Sequence, residues 1–326
     1  MSRTNRGRAG GELEALELVA RRLPSAPLGQ VWIGDDAAVV PAGEGTILLT
    51  TDTVVEGIHG DLALSGIGDF GWRAVETAVS DVAAMGGAPE QLLVSVAAPP
   101  RTDLEALYDG IAAAAEDTGT DVVGGDLSTG PTIVITVTVV GRLRPGERPV
   151  LRSGASAGDS LVVTGPLGAA AAGLRILRDG PTTLSAEANL LVEAHVRPSA
   201  RIAEGRLLAQ CGVTAMIDLS DGIASDVRRI AEASGVGIVL EEIPVADGAT
   251  GEEAMCGGDD YELLFAVADP EHVIRQFAGA RLRAPIVVGR CTANAEERLY
   301  RGAELPDCGW EHPWVTATRP VDRDPG

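Results

Sequence analysis

Runs of apolar and polar positions divide the first half of the chain into short helices and strands. Apolar residues at helical spacing predict helices over residues 12–23, 68–86 and 102–118. Strands are predicted over 46–51, 91–98 and 132–141, and the last of these alternates Ile or Val with Thr at period two. The segment from Arg142 to Gly158 is rich in Arg, Pro, Gly and Ser, which is typical of a boundary between domains.

The second half of the chain mixes the two kinds of element in the same way. Strands are predicted over 160–164, 213–218, 236–240, 261–267 and 285–289, and helices over 168–178, 185–195, 199–210, 222–234 and 270–279. Strands and helices do not alternate strictly, which favours α/β or α+β domains over an open doubly wound sheet. The chain has 326 residues, and we expect two mixed α/β domains, residues 1–145 and 146–326.

The charge of the chain restricts its partners. The formal net charge is −21, from 47 acidic and 26 basic residues, which disfavours nucleic acid and anionic membrane surfaces as ligands. All 26 basic residues are Arg, so a Walker A loop and the strand lysine of a protein kinase are both impossible. If the protein binds ATP, groups other than lysine must neutralise the phosphates.

Location and cysteine chemistry follow from simpler features. The polar segment Met1–Gly11 has no apolar stretch behind it, and no apolar run approaches the roughly 20 residues of a membrane helix. We therefore expect a cytoplasmic protein. The four cysteines, Cys211, Cys256, Cys291 and Cys308, are widely spaced without a CxxC pair, so we expect reduced thiols and neither a disulfide nor a zinc site.

Oxygen ligands for hard cations concentrate in two N-terminal clusters. Asp35 and Asp36 are followed, after the next strand, by Thr50-Thr51-Asp52, and carboxylates and hydroxyls are groups that Mg²⁺ accepts. Asp81 lies in a largely apolar helix, where an ionised carboxylate is costly unless it is paired or binds a metal. Turn chemistry and a solvated helix face are the ordinary alternatives for these two clusters.

Three further clusters place aspartates beside glycines or helix starts. Gly124-Gly125-Asp126 follows a short predicted strand and suits a close approach to phosphates, although for this motif alone a tight turn is the better explanation. In residues 217–222 (IDLSDG), Asp218 ends a strand while Ser220 and Asp221 begin a helix, where one of these two could simply be the N-cap. The fifth cluster is residues 257–262 (GGDDYE).

Carboxylates collected from both halves would repel one another. Two unit charges 4 Å apart interact by about 4 kcal/mol at an effective dielectric of 20. Divalent cations would remove this repulsion and would allow an acidic chain to bind a polyphosphate. The aspartate clusters therefore predict several Mg²⁺ ions held between carboxylates and nucleotide phosphates.

The order of these segments resembles that of the thiamine-monophosphate kinases of the aminoimidazole-ribonucleotide synthetase superfamily. The matching stretches are GDDAAVV, TTDTVVEGIH, AVSDVAAMGG, GGDLSTGP, RSGA, IDLSDGIASD and GGDDYELLF, which span nearly the whole chain. The resemblance implies a protein of two domains that dimerises through its N-terminal strands. It also implies transfer of the γ-phosphoryl group of ATP to thiamine monophosphate, giving thiamine diphosphate.

The chemistry of such a reaction agrees with the residues available. A phosphate monoester with a second pKa near 6 is already an anion at neutral pH and needs no general base. What the transfer needs is alignment of two anions and cancellation of their repulsion. Aspartates would then be metal ligands, and no residue is expected to act as a covalent nucleophile.

The resemblance also assigns roles to individual residues. It implies metal ligands at Asp36, Thr50, Thr51, Asp52, Asp81, Asp126, Asp218 and Asp221. It implies ATP contacts at Tyr108, Gly125, Asp126, Arg152 and Ser220, and thiamine contacts at His59, Asp259 and Trp314. The usual Gly-Gly-Glu-Asp reads Gly-Gly-Asp-Asp here, so Asp259 is one methylene shorter than the family pattern.

Two other functions are weighed against this one. The first is an ATP-dependent cyclase similar to aminoimidazole-ribonucleotide synthetase. The second is a non-catalytic nucleotide- or metal-binding protein, which ordered ligand sets in both halves disfavour. Selenophosphate synthetase would be expected to carry a reactive cysteine near the N-terminus, and here no cysteine precedes Cys211.

Overall fold

The computed structural model describes residues 26–32, 35–43, 45–180 and 184–312. Within these ranges the strands form two sheets, one between residues 38 and 143 and the other between 160 and 304. The expected division between residues 145 and 146 thus falls in the connection between the sheets. The helix predicted over 12–23 and the side chain of Trp314 lie outside the described residues.

The first sheet has the strand order β1-β2-β5-β3-β4, and β3 and β4 pair in parallel while the other neighbours are antiparallel. Its domain consists of β1 (Ala38–Ala42), β2 (Gly45–Val55), α1 (Ile67–Ala84), β3 (Ala88–Ala98), α2 (Leu104–Thr118), β4 (Asp121–Thr129) and β5 (Val134–Leu143). In β2, Leu48 and Val54 are buried while Leu49 and Thr53 are exposed. This alternation shows that helices cover one face of the sheet and that the other face is open.

The second sheet has the order β12-β11-β8-β10-β6-β9-β7, with β8 and β11 parallel and the other neighbours antiparallel. Its domain consists of β6 (Ser160–Val163), α3 (Ala169–Asp179), α4 (Ala186–Val196), α5 (Ile202–Gln210), β7 (Ala215–Asp218), α6 (Ile223–Ser234), β8 (Gly237–Leu240), α7 (Gly251–Cys256), β9 (Leu263–Val267), α8 (Pro270–Ala280), β10 (Ile286–Thr292), β11 (Arg298–Tyr300) and β12 (Ala303–Glu304). The expected class of two mixed α/β domains is confirmed.

Helix α1 joins the two domains. It packs on β2 and β5 of its own sheet and also on α5 and β7 of the second domain. The contact with α5 is close, because a Cβ atom added at Gly205 would lie 2.1 Å from the carbonyl oxygen of Ala83. Residues of α1 are therefore held against both domains, and this helix carries Asp81.

Two expectations from the sequence are wrong. Gly124-Gly125-Asp126 does not follow a short strand but lies inside the nine-residue strand β4. Cys256 and Cys308 form a disulfide, whereas Cys211 and Cys291 are free thiols. The spacing of cysteines along the chain is a poor guide here, because the segment after β12 returns to the end of α7 and brings two distant residues together.

The helices were compared with the length and hydropathy that a membrane span requires. No helix in the described ranges is long and apolar enough to cross a bilayer.

Glu76 is a buried acid on the side of α1 that meets the second domain. It is 1% exposed, and its Oε2 accepts a hydrogen bond from the main-chain N–H of Ala200 at 2.8 Å. Its Oε1 has no hydrogen-bond partner among the described residues. Burial raises the pKa of Glu76 to about 7, although the hydrogen bond from Ala200 acts in the opposite direction.

We expect Glu76→Gln to stabilise the protein at pH 8 and to change its stability little at pH 5. The folded state keeps a proton that the unfolded state releases above its ordinary pKa of 4.5, so stability is lost as the pH rises from 4.5 through about 7. Over that pH interval the free energy of unfolding falls by at most about 3 kcal/mol. Glutamine stays neutral and can still accept the bond from Ala200.

Thermal unfolding of both proteins between pH 5 and 8 measures this effect. The exposed Glu232→Gln variant is the control and is expected to follow the wild-type profile. Parallel profiles for the wild type and Glu76→Gln would show that Glu76 is ionised in the folded protein.

Candidate active site

Three carboxylates from three elements meet where the domains meet. Asp36 precedes β1, Asp81 lies in α1, and Asp218 is the last residue of β7. One oxygen of each lies within 4.8 Å of the others. The sequence predicted all three as metal ligands, and the fold brings them together. An all-oxygen donor set of this kind fits Mg²⁺.

Two hydroxyl groups orient these carboxylates. Thr50, on β2, donates a hydrogen bond to Oδ2 of Asp81 at 2.5 Å. Ser80, which is fully buried, donates to Oδ2 of Asp218 at 2.6 Å and so links α1 to the second domain. Ser80 was not predicted as a site residue; its only sequence signal is a polar position beside Asp81 in an apolar helix.

The electrostatics of the group favour a cation. Burial raises the pKa of Asp81 well above its ordinary value, and the neighbouring Asp52 and Asp218 raise it further. Burial also raises the pKa of Asp218 to about 7. The pKa of Asp52 is raised first by burial and then by the charge of Asp221. Several buried carboxylates thus share one field, and a divalent ion would relieve both desolvation and repulsion.

Arg152 is the basic residue closest to this group. Its guanidinium donates two hydrogen bonds to Asp36, from Nη2 at 2.7 Å and from Nε at 3.1 Å. Its main-chain N–H donates to the carboxylate of Asp35 at 3.2 Å. Arg152 was predicted to contact ATP, and here its side chain is engaged by Asp36, so a phosphate would compete with this carboxylate for the guanidinium.

The turn between β7 and α6 is built around a buried aspartate. Oδ2 of Asp226 accepts the main-chain N–H groups of Asp221 and Gly222, each at 3.1 Å. Arg229 forms ion pairs with both Asp221 and Asp226. The N-cap of α6 is Gly222, with no side-chain cap, so neither Ser220 nor Asp221 has the capping role that the sequence allowed.

The same turn holds the Gly-Gly-Asp-Asp segment in place. The main-chain N–H of Asp259 donates to the carbonyl of Ser220 at 2.9 Å, and that of Tyr261 donates to Leu219 at 2.9 Å. These bonds place Asp259 beside the strand end that carries Asp218. The predicted metal group and the predicted acceptor group are therefore neighbours.

Asp259 is held by Tyr261, which belongs to the same predicted cluster, and by Arg73, which the sequence did not indicate as a site residue. Its Oδ2 lies 2.8 Å from Nη1 of Arg73, and its Oδ1 accepts a hydrogen bond from the hydroxyl of Tyr261 at 3.2 Å. Arg73 is 3% exposed and also donates to the carbonyl of His195. A basic residue in the first half of α1 gives no hint of this partner, because Asp259 belongs to the other domain.

His59 lies close to the same group. Its Nδ1 accepts the main-chain N–H of Val55 at 3.0 Å, and its Nε2 is 3.4 Å from Nε2 of His312. Burial lowers the pKa of His59, and the nearby His312 lowers it further. His59 is therefore neutral at pH 7, and it suits hydrogen bonding or ring contact better than anion binding.

The second aspartate of the Gly-Gly-Asp-Asp segment has a structural role. Oδ2 of Asp260 accepts the main-chain N–H of Gly168, the N-cap of α3, at 2.7 Å. Burial raises the pKa of Asp260 to about 7. The two adjacent aspartates thus differ in task, since Asp260 supports a helix while Asp259 faces the site.

The predicted ATP contacts Tyr108, Gly125 and Asp126 line one pocket at the edge of the first sheet. Gly125 has a φ of 155°, and a Cβ atom there would lie 1.8 Å from the carbonyl oxygen of Val94, so only glycine fits. All nine residues of β4 are exposed, so the backbone of this strand is open to a close approach by a ligand.

This pocket is remote from the carboxylate group of the same chain. Asp126 pairs with Ser95 on β3, Ser95 with Thr136 on β5, and Thr136 with Thr53 on β2. Three strand spacings of about 4.8 Å separate Asp126 from Thr53 by roughly 14 Å. One chain by itself does not place Asp126 among the other predicted metal ligands.

Thr51 also stands apart from the group. Side chains alternate along β2, and the hydroxyl of Thr51 meets that of Thr138 at 3.0 Å on the open face of the sheet. Thr50, one residue earlier, points to Asp81. Any contribution of Thr51 to a metal in this chain would have to come from its main-chain carbonyl.

Comparison with known proteins agrees with this architecture. The model of the AIR synthase related protein N-terminal domain matches residues 34–143, and that of the C-terminal domain matches 156–302. The thiamine-monophosphate kinase of Bacillus subtilis is 38% identical over 78% of this chain and 83% of its own length. That of Mycobacterium tuberculosis strain H37Rv is 34% identical over 92% of this chain and 91% of its own.

A solved structure gives the same result. AaThiL complexed with AMPPCP and TMP matches with a TM-score of 0.82 at 32% identity, covering 95% of this chain and 100% of that chain. Both the sequence and the structure are thus similar to these proteins over most of the chain. The chain belongs to the thiamine-monophosphate kinase family of AIR synthase related proteins.

Proposed function

We propose that this protein transfers the γ-phosphoryl group of ATP to thiamine monophosphate, producing thiamine diphosphate and ADP. The observation that carries the proposal is the placement of the Asp36–Asp81–Asp218 group beside Asp259 and His59. A site for a metal-bound polyphosphate then adjoins a site for the acceptor. The ATP analogue and TMP bound in the AaThiL structure support the same two substrates.

We propose Mg²⁺ as the metal of this site. Asp36, Asp81 and Asp218 would hold it, and when bound it supplies the positive charge that the phosphates need in a chain without lysine. Further ligands proposed from the family pattern are Thr50, Thr51, Asp52, Asp126 and Asp221. Thr50 and Ser80 fix the carboxylates before any ligand arrives, so little reorganisation is required on binding.

The protein's own groups would align the acceptor. Asp259, held by Arg73 and Tyr261, offers a fixed carboxylate to the cationic thiamine, and neutral His59 adds no repulsion to it. The acceptor phosphate is already ionised, so no side chain has to remove a proton. Catalysis then rests on positioning and charge compensation. We also propose that the protein works in the cytoplasm.

We propose that the active form is a homodimer assembled through the first sheet. Five large apolar side chains on this sheet are exposed, namely Leu49, Leu93, Val122, Val123 and Leu127. Its two edges are β1 and β4. A two-fold dimer would place the β4 edge of one copy beside the β1–β2 edge of the other, and so would bring the partner's Asp126 toward the carboxylate group.

A product assay tests the proposed reaction. We expect Mg²⁺-dependent ADP release and thiamine diphosphate formation with thiamine monophosphate, and neither product with unphosphorylated thiamine. The control is an EDTA-treated reaction, which should be inactive until Mg²⁺ is restored. ADP release only with formylglycinamidine ribonucleotide would instead support the cyclase alternative and would overturn the proposal.

A further inference from the structure

The segment Leu305–His312, here termed the C-terminal strap, runs from the second domain to the first. The main-chain N–H of Trp310 donates to the carbonyl of Asp221 at 2.9 Å. Arg228 on α6 donates to the carbonyl of Leu305 at 2.9 Å. At its far end, the ring of His312 lies 5.1 Å from that of His59, measured between centroids. The strap therefore passes the β7–α6 turn and ends against the acceptor side of the site.

A disulfide fixes the middle of the strap. Cys308 is bonded to Cys256, the last residue of α7, which is followed directly by the Gly-Gly-Asp-Asp segment. The next strap residue, Gly309, packs closely, because a Cβ atom there would lie 2.8 Å from Cβ of Ser225 and 2.9 Å from the carbonyl oxygen of Asp221. The strap and the loop that carries Asp259 thus share one covalent anchor.

The aromatic side chains of the strap stand beside the acceptor group. The rings of Trp310 and His312 pack edge to face with centroids 5.8 Å apart. Trp310 is 47% exposed, so a flat face of the strap remains available to a ligand. The ring of His59 lies against that of His312, and Asp259 is close enough to His59 to influence its charge, so these groups together suit a flat, cationic heteroaromatic ligand.

We propose that the Cys256–Cys308 disulfide positions the C-terminal strap as one wall of the acceptor site, so that the redox state of this pair sets the affinity for the acceptor. The inference rests on the proposed function, since it names a further part of the same site. The carboxylates of the metal group lie elsewhere in the chain, since Asp36 precedes β1, Asp81 lies in α1 and Asp218 ends β7.

The chemistry of the switch is ordinary thiol–disulfide exchange. A dithiol attacks one sulfur, and a second attack by its other thiol releases both cysteines. The S–S bond between Cys256 and Cys308 breaks, two electrons and two protons pass to the pair, and the dithiol becomes a cyclic disulfide. The reduced strap keeps its hydrogen bonds to Asp221 and Arg228 but loses its covalent link to the loop that carries Asp259.

Steady-state kinetics of the full-length protein, oxidised and after treatment with dithiothreitol, test the inference. Reduction is expected to raise the KM for thiamine monophosphate about tenfold and to change the KM for ATP less than twofold. Reoxidation should return the KM for thiamine monophosphate to that of the oxidised protein. The Cys256→Ser/Cys308→Ser variant should show the raised KM without any reductant, and dithiothreitol should not change it further.

Two controls separate this pair from the other thiols. Cys211→Ser and Cys291→Ala each leave the disulfide intact and should retain the response to dithiothreitol. Thiol titration of the denatured wild type should find two thiols before reduction and four after it.

The outcomes distinguish failure of the inference from failure of the proposed function. Thiamine diphosphate formation with the same KM in both redox states, and in the double serine variant, would overturn the inference and leave the kinase assignment intact. Equal rises in both KM values would also overturn it, because the strap would then support the whole site. No turnover of thiamine monophosphate by the oxidised protein would overturn the proposed function itself.

Discussion

Asp218→Asn is expected to lower kcat at saturating ATP and Mg²⁺ by roughly 10²- to 10³-fold, the range seen when one preorganised electrostatic contact is lost. Asp218 is 4% exposed, and one of its oxygens lies within 4.8 Å of an oxygen of Asp36 and of Asp81, so we propose that it binds the same metal ion as they do. Asparagine has the same shape and can still accept the hydrogen bond from Ser80. What is removed is the negative charge.

The same substitution is expected to leave the metal-free protein as stable as the wild type, or more stable. Asp36, Asp81 and Asp218 repel one another when they are ionised and no cation is present, and a neutral amide at position 218 removes two of these three repulsions. Melting temperature in EDTA, compared with that in excess Mg²⁺, measures this. Excess Mg²⁺ should raise the melting temperature of the wild type more than that of the variant.

Asp247→Asn, at an exposed position of the second domain, is the matched control and should behave like the wild type in both measurements. Near-normal kcat in Asp218→Asn, with an unchanged requirement for Mg²⁺, would mean that the metal binds elsewhere. A large loss of melting temperature in EDTA would mean that Asp218 is needed for folding.

Mixing two inactive variants is expected to restore activity if the active site is shared between two copies of the chain. In one chain, Asp126 lies on β4, at one edge of the first sheet. Asp218 belongs to the carboxylate group, which lies beside β1 and β2 toward the other edge. In a mixed dimer, one site would receive both substitutions and the other would receive neither. With random exchange, half of the dimers are mixed, so about a quarter of the wild-type activity should return.

The pair Asp36→Asn and Asp218→Asn is the matched control for this experiment. Both residues belong to the carboxylate group of one chain, so every site in a mixed dimer would carry one substitution. No activity should return in that mixture. Native mass spectrometry would verify that subunits exchange. An inactive Asp126/Asp218 mixture, in which mixed dimers are present, would contradict the shared site.

The helices and strands were largely predictable from the sequence, because an element that is buried on one side carries apolar residues at regular spacing. Helix 68–86 was observed as Ile67–Ala84, and strand 91–98 as Ala88–Ala98. The short elements β1, β11, β12 and α7 were missed, because a few residues carry too little periodicity. The motifs, taken in their order along the chain, also identified the family, and they named Asp36, Asp81 and Asp218, whose carboxylates the structure brings together.

The relations among these residues were decided by the tertiary structure alone. Ser80 and Asp81 are neighbours in sequence, yet Ser80 binds Asp218 while Asp81 binds Thr50. Arg73 and Asp259 meet only because α1 packs on the second domain.

The positions of Asp126 and of the paired cysteines were likewise decided by the tertiary structure. Strand order places Asp126 three strands away from β2, although its motif looks like those of the metal group. Cys256 and Cys308 pair because the chain returns to α7 after β12. Local sequence records which side of an element is buried, whereas contacts between distant residues depend on sheet order, register and helix packing, which no local pattern specifies.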